Sequence, residues 1–200
     1  MNEQATTVRV WDLPTRIFHW TLAGGVIASI GTAWFGGNAL VWHMRIGYAV
    51  FALIAFRVLW GVVGGHWSRF ASFAYAPAAT LRYLRGRSLP HEHHEVGHSP
   101  LGAFSVFGLL GVLALQVGTG LFADDEIATT GPLNRLVSNA TGLALTRWHK
   151  NVGQWLIIAL VVLHIGAVLY YQIARRRDLL RPMLSGDKQL AVPAPAAVDN

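Results

Sequence analysis

The polar residues of this chain are conspicuous for where they are missing. Residues 17–44, 96–123 and 151–174 contain no Asp, Glu, Lys or Arg, and residues 46–68 contain only Arg57. Each stretch can cross the hydrocarbon core of a bilayer, which takes about 20 predominantly apolar residues as a helix. Spans are expected at about 18–36, 43–65, 100–122 and 150–172. Spanning backbone must satisfy its own hydrogen bonds, and no alternating barrel pattern is present. The expected fold is therefore all-α, an integral membrane antiparallel four-helix bundle. Gly24, Gly25, Gly31, Gly108 and Gly111 offer surfaces on which helices can approach closely. Residues 132–145 have the spacing of a short amphipathic helix lying on the membrane face.

Four spans put both termini and the loop 66–98 on one side. That side carries Arg9, Arg16, Arg69, Arg82, Arg85, Arg87, Arg175, Arg176, Arg177, Arg181 and Lys188, against Arg45, Arg135, Arg147 and Lys150 opposite. The asymmetry places both termini in the cytoplasm of a bacterial cell, with the chain in the inner membrane. It also gives the net charge of +6 a meaning: the basic excess marks topology, and no nucleic-acid partner is expected. Residues 1–16 are polar and lead into an apolar segment too long for a cleavable signal, so the first span reads as an anchor. Residues 8–186 form the expected membrane domain. The tail 187–200, with its Val192-Pro193-Ala194-Pro195-Ala196-Ala197 run, is expected to be disordered and cytoplasmic.

The chain has no cysteine, which excludes disulfides, thiolate zinc sites, iron–sulfur clusters and covalent haem attachment. Met1 and Met183 lie near the termini, so any buried metal must be held chiefly by histidine, Met44 being the one other soft donor. Four histidines stand in or at the ends of spans. His19 begins the first at its cytoplasmic end, while His43 and His149 begin the second and fourth at the outer face. His164 follows His149 by 15 residues (164 − 149) on the same helix, about 22 Å along the axis with directions about 60° apart. They sort by depth into an outer pair, His43 with His149, and an inner pair, His19 with His164. Each pair draws on two helices, as needed to clamp the planar macrocycle of a b-type haem between two axial imidazoles.

Taken singly, each histidine also reads as an interfacial residue, since Trp20, Trp42 and Trp148 beside them suit an aromatic belt. A proton relay in a haem-free transporter is another reading, weakened by the absence of Asp and Glu from the spans. Arg57, about 21 Å from His43 along its helix, either meets a propionate of the inner haem or snorkels to the interface.

Several segments carry a resemblance: Val10-Trp11-Asp12-Leu13-Pro14-Thr15-Arg16-Ile17-Phe18-His19-Trp20, Trp42-His43-Met44-Arg45-Ile46-Gly47, Gly97-His98-Ser99-Pro100-Leu101-Gly102, Thr119-Gly120-Leu121-Phe122-Ala123-Asp124-Asp125, Trp148-His149 and Leu163-His164. With these the chain resembles the prokaryotic cytochrome b561 family, which includes cytochrome b subunits of nickel–iron hydrogenases. The resemblance implies a four-helix bundle with two haems b and the same ligand pairs, His19 with His164 and His43 with His149. It implies an electron carrier between a quinone pool, ubiquinone or menaquinone, and a periplasmic redox protein such as a c-type cytochrome. Two axial imidazoles per iron leave no open position for oxygen, and no catalytic residue is expected. The alternative is a quinone-linked oxidoreductase acting on a small substrate such as superoxide.

Other polar features have plainer readings. His98 reads as a helix cap before Pro100, with a haem ligand or a proton-handling group near a quinone as rivals, and Ser99 could serve the same helix end. His91, His93 and His94 with Glu92 and Glu95 have a metal-binding composition but nothing to fix a geometry. Asp124, Asp125 and Glu126 read as an ordinary outer loop or as a steering patch for a basic partner. His66 has no assigned role.

Overall fold

The computed structural model describes residues 5–87, 97–127 and 129–191. Four long helices dominate: α1 Leu13–Phe35, α2 Ala39–Val63, α4 Pro100–Leu121 and α6 Gln154–Ile173. Shorter ones are α3 Pro77–Leu84, α5 Asn139–Trp148 and α7 Leu180–Ser185. Among the described residues, the helices Ala39–Val63, Pro100–Leu121 and Asn139–Ile173 are long and apolar enough to cross a membrane. At 23 residues α1 has comparable length, but Gly, Ser, Thr and His19 dilute its apolar character. The molecule is an all-α membrane protein with three long apolar helices.

Local chemistry explains where the helices begin and end. Asp12 caps α1 by accepting from the Thr15 amide at 2.9 Å, and Pro14 occupies the first turn, where no amide partner is needed. The helix therefore starts ahead of the apolar stretch. Gly36 and Gly37, at φ 63° and 52°, make the tight turn into α2. Ser99 caps α4 by accepting from the Gly102 amide at 3.2 Å, with Pro100 next in line. The amphipathic helix expected at 132–145 begins instead at Asn139, capped by Ser138, and does not lie apart: α5 runs through a π-helical turn, His149–Gly153, into α6. The fourth apolar helix thus reaches eleven residues (150 − 139) further back than the expected start of its span.

Packing follows the order α1 on α2, α2 on α4 and α4 on α6. The core is a small plug at mid-depth, Val26, Val50, Ile54, Leu113 and Ile157, one or two residues from each long helix. The apolar surface faces outward elsewhere: Ile27, Phe35, Phe104, Leu163 and Ile173 are each at least 69% exposed. In water that area would cost roughly 25 cal/mol per Å². Lipid removes the cost.

Close approach does not fall at most of the expected glycines. A Cβ at Gly24, Gly31, Gly108 or Gly111 would meet nothing within 4 Å, and of the five only Gly25 has a neighbour, Val50 at 3.3 Å. Tight positions within the long helices and the turn between α5 and α6 include Gly61 beneath the Phe70 ring, Gly120 beneath His149 and Gly153 beneath Gln116 and Trp148.

The first and last described segments are tied together. Strand β1, Ala5–Arg9, pairs antiparallel with β2, Asp187–Ala191, so the segment expected to open a disordered tail is ordered over 187–191. The physical reason is a dense set of backbone bonds: the amides of Val10 and Trp11 donate to the Gly186 carbonyl, and Arg16 donates to the carbonyls of Leu184 and Ser185. Residues 192–200 lie outside the described residues. Both ends share a face with the turn after α2, where Ser68 donates to Asp12 at 2.7 Å.

Candidate functional site

The outer histidines meet across a cavity of about 380 Å³ whose lining includes Val26, Ser29, Gly47, Leu113, Gly120 and Ile157. The His43 and His149 rings stand 6.0 Å apart between centroids and perpendicular to each other. Behind each ring is a backbone carbonyl: His43 Nδ1 lies 2.9 Å from Ser29 O, and His149 Nδ1 lies 2.9 Å from Gln116 O. A carbonyl only accepts, so each Nδ1 carries a proton, which in the neutral imidazole leaves the lone pair on Nε2. Thr119 stands 3.3 Å from the same His149 nitrogen, and the Gln116 amide donates to the His149 carbonyl at 3.0 Å.

The π turn is part of this arrangement. Such turns accommodate about one extra residue and recur at functional sites. One residue is worth about 100° of rotation, so the directions of His149 and His164 differ by about 40° in the opposite sense to the uniform-helix expectation of about 60°. Both directions still face the same half of the bundle.

On the far side of the apolar plug, His19 of α1 and His164 of α6 have ring centroids 6.4 Å apart. His164 Nδ1 lies 3.2 Å from Ser105 Oγ. His19 Nδ1 is buried without a hydrogen-bond partner, and the ring abuts Trp20 edge-on. The α6 helix packs mainly on α4, and its Ile157 joins Val26, Val50 and Ile54 in the plug between the two histidine pairs.

The ring separations test what could sit there. A metal–imidazole bond of about 2 Å, plus about 1 Å from nitrogen to ring centre, gives about 6 Å between rings that share one metal. Both pairs meet that figure. Two imidazoles do not make a site for a bare ion, and the described residues contain no cluster of three or more His, Cys, Asp or Glu able to hold one. A haem brings its own equatorial nitrogens and needs only the two axial ones. The residues fit the group.

Arg57 is 3% exposed, with its guanidinium 4.5 Å above the Phe70 ring and Nη1 lacking a partner. None of these described contacts is with His19 or His164. His98 does not cap α4, since Ser99 does. Its ring sits between Trp11 and Phe73 at 4.6 and 4.2 Å, with Nδ1 unpartnered. Burial, and then the charge of Arg57, pushes His98 down to about 3, so it stays neutral. Burial alone would raise Asp12, but hydrogen bonds from Thr15, Ser68 and Trp60 outweigh it and hold the carboxyl below its usual value.

Asp124 and Asp125 shape their own loop: Asp124 accepts from the Glu126 amide, and Asp125 from the amides of Ile127 and Thr129. His66 is exposed against Trp67. His91, His93 and His94 lie outside the described residues. Sequence reasoning missed Ser29, Ser105, Gln116 and Gly153, and gave no role to Thr119 and Gly120 within their matching segment. Gln116, an amide in the middle of an apolar stretch, was the available signal.

An apolar helical scaffold with facing histidines at two depths belongs to the class of membrane proteins that hold haem between helices. Comparison with known families makes this specific. Residues 10–186 match the family described as prokaryotic cytochrome b561, and the chain belongs to that family of membrane b-type cytochromes, which carry electrons. It is similar to the "Probable Ni/Fe-hydrogenase B-type cytochrome subunit" of Bradyrhizobium diazoefficiens, 24% identical over 92% of this chain and 86% of the relative. The protein of the same name from Rhodobacter capsulatus is 26% identical over 92% and 82%. The "Probable Ni/Fe-hydrogenase 1 B-type cytochrome subunit" of Escherichia coli is 21% identical over 88% of each chain. No solved structure matches.

Proposed function

We propose that the chain is a dihaem cytochrome b of the bacterial inner membrane, passing electrons between a quinone and a redox protein at the periplasmic face. His43 and His149 hold the outer haem, and His19 and His164 the inner one, within a four-helix membrane unit of residues 8–186. The observation that carries this reading is the pair of ring separations, 6.0 and 6.4 Å, each near the about 6 Å of two imidazoles on one metal. Haem b supplies one-electron redox chemistry when bound.

The chain's own contribution is position and environment. Ser29 O and Gln116 O fix the outer rings with Nε2 free. Two imidazoles per site fill both axial positions, which favours electron transfer over oxygen activation. Val26, Val50, Ile54, Leu113 and Ile157 exclude water between the tiers. Arg57, buried with an unpartnered Nη1, suits an anionic group such as an inner-haem propionate. The basic excess on the face shared by the chain ends supports cytoplasmic termini. The names of the relatives point to a hydrogenase as one kind of redox partner, and a c-type cytochrome suits the same outer face.

His149→Ala tests the assignment. Haem content per chain should fall from two to one, with the remaining haem still reducible by dithionite. Retention of both would break the ligand pairing.

A further inference from the structure

The two histidine pairs differ in what stands behind the rings. In the outer pair both Nδ1 atoms donate to backbone carbonyls, each at 2.9 Å, from helices that no side-chain rotation can move. In the inner pair His164 has only the Ser105 hydroxyl, at 3.2 Å, and His19 Nδ1 has no partner. A hydrogen bond given by Nδ1–H makes the imidazole a more basic ligand. A more basic ligand favours the oxidised metal, which carries the extra positive charge, and so lowers the reduction potential.

From this asymmetry we infer that the carbonyls of Ser29 and Gln116 make the outer pair the lower-potential site, with Ser105 as the weaker positioning residue of a higher-potential inner site. The inference rests on the dihaem reading above. A single electron entering the protein then resides at the inner pair: the inner site gains one electron as the outer site loses one, with no bond broken and no proton moved.

Nearby charges act in the same sense or weakly. Arg57, buried and on the inner half of α2, favours the reduced form of a site near it, an effect that the charge of Asp12, which interacts with Arg57, offsets in part. Arg45 and Lys150, which flank the outer ligands, are exposed and screened by solvent, and Asp125 at the outer cavity opposes them. The Gln116 side chain has a supporting part. By donating to the His149 carbonyl it ties the ligand's own backbone to the helix that supplies the accepting carbonyl.

The test is a potentiometric titration of the visible haem spectrum, on the full chain in lipid nanodiscs. Two waves are expected, separated by at least a tenfold preference of one electron for the inner site, about 59 mV. His19→Ala should leave only the lower wave and His43→Ala only the upper. Ser105→Ala removes the inner acceptor and should move the upper wave further up, leaving the lower in place. Coincident waves, the reverse order, or a Ser105→Ala shift downward or in the lower wave would overturn the inference while the dihaem function stands. A protein purified without haem would overturn both, which separates the two failures.

Discussion

The outer and inner histidine pairs solve the same problem by different means. On the dihaem reading each holds two rings about 6 Å apart in an apolar interior. The outer pair is held from the main chain: two carbonyls orient the rings, the π turn sets the position of His149, and Gly120 lets α4 lie against it. The inner pair has little hydrogen bonding of its own, and its helices are anchored at their ends. Asp12 gathers Thr15, Ser68 and Trp60 around the start of α1, while Arg16 and Trp20 donate to carbonyls of the 183–185 segment. Ring orientation at the outer site therefore depends on neighbouring backbone, and at the inner site on where whole helices begin.

The largest expected effect comes from breaking the outer arrangement at its tightest point. A Cβ at Gly120 would sit 2.9 Å from His149 Cε1, so Gly120→Ala must displace the ring or the helix. Overpacking of this kind costs about 1–3 kcal/mol. Titrating the isolated protein should show loss or weakening of the outer haem with the inner one intact. Gly111→Ala is the control, since a Cβ there meets nothing within 4 Å, and it should change stability by no more than about 0.5 kcal/mol. Equal effects from the two substitutions would remove the distinction between a backbone-held and an end-anchored site.

The inner end should instead reveal itself through pH. His98 is held neutral, near 3 against an ordinary 6.5, by burial and by Arg57. The unfolded chain binds a proton below 6.5 that the folded one refuses, so stability falls as pH drops through the window from 6.5 toward 3. Between pH 6.5 and about 5.5 the loss is about 1 kcal/mol, given that one pKa unit corresponds to about 1.4 kcal/mol. Thermal unfolding of His98→Phe, which keeps an aromatic ring between Trp11 and Phe73, should lose this acid-side slope. A slope unchanged by the substitution would place the sensitivity elsewhere, and a steeper one would mean that the imidazole is charged in the fold.

How much of this was legible beforehand differs between the two sites. Depth pairing needs only helix rise and the positions of four histidines, so His43 with His149 and His19 with His164 could be matched from spacing alone, and the rings of each pair lie 6.0 and 6.4 Å apart. The hydrogen bonds behind the rings could not be read that way, because Ser29 O and Gln116 O are main-chain atoms that every residue possesses. The π turn was equally hidden: no residue type in the stretch from His149 to Gly153 demands it, and α4 packs against it. Glycine was misleading for a related reason. Composition flagged Gly24 and Gly108 as contact points, but a small residue marks close approach only where another chain segment is opposite, as at Gly120 and Gly153. The ordered start of the C-terminal segment depended on Gly186, whose φ of 94° turns its carbonyl toward two amides of the N-terminal segment.

The smallest expected effect concerns that ribbon. Arg9 and Asp187 form an ion pair at 3.5 Å, with side chains 70% and 45% exposed. In solvent such a pair contributes about 0–1 kcal/mol, because the Coulomb gain is screened and two long side chains lose freedom. The ribbon should depend mainly on the antiparallel register and on the Gly186 carbonyl. Asp187→Asn, followed by amide hydrogen exchange, should leave protection of Val10 and Trp11 nearly unchanged. Substituting Gly186 by Ala should reduce that protection, since its φ of 94° is unfavourable for a side chain and a Cβ would lie 2.7 Å from the Trp11 carbonyl oxygen. If Asp187→Asn alone released the amides, charge pairing and not backbone geometry would be what fastens the ends of the chain, and the anchoring at the inner end would become sensitive to salt.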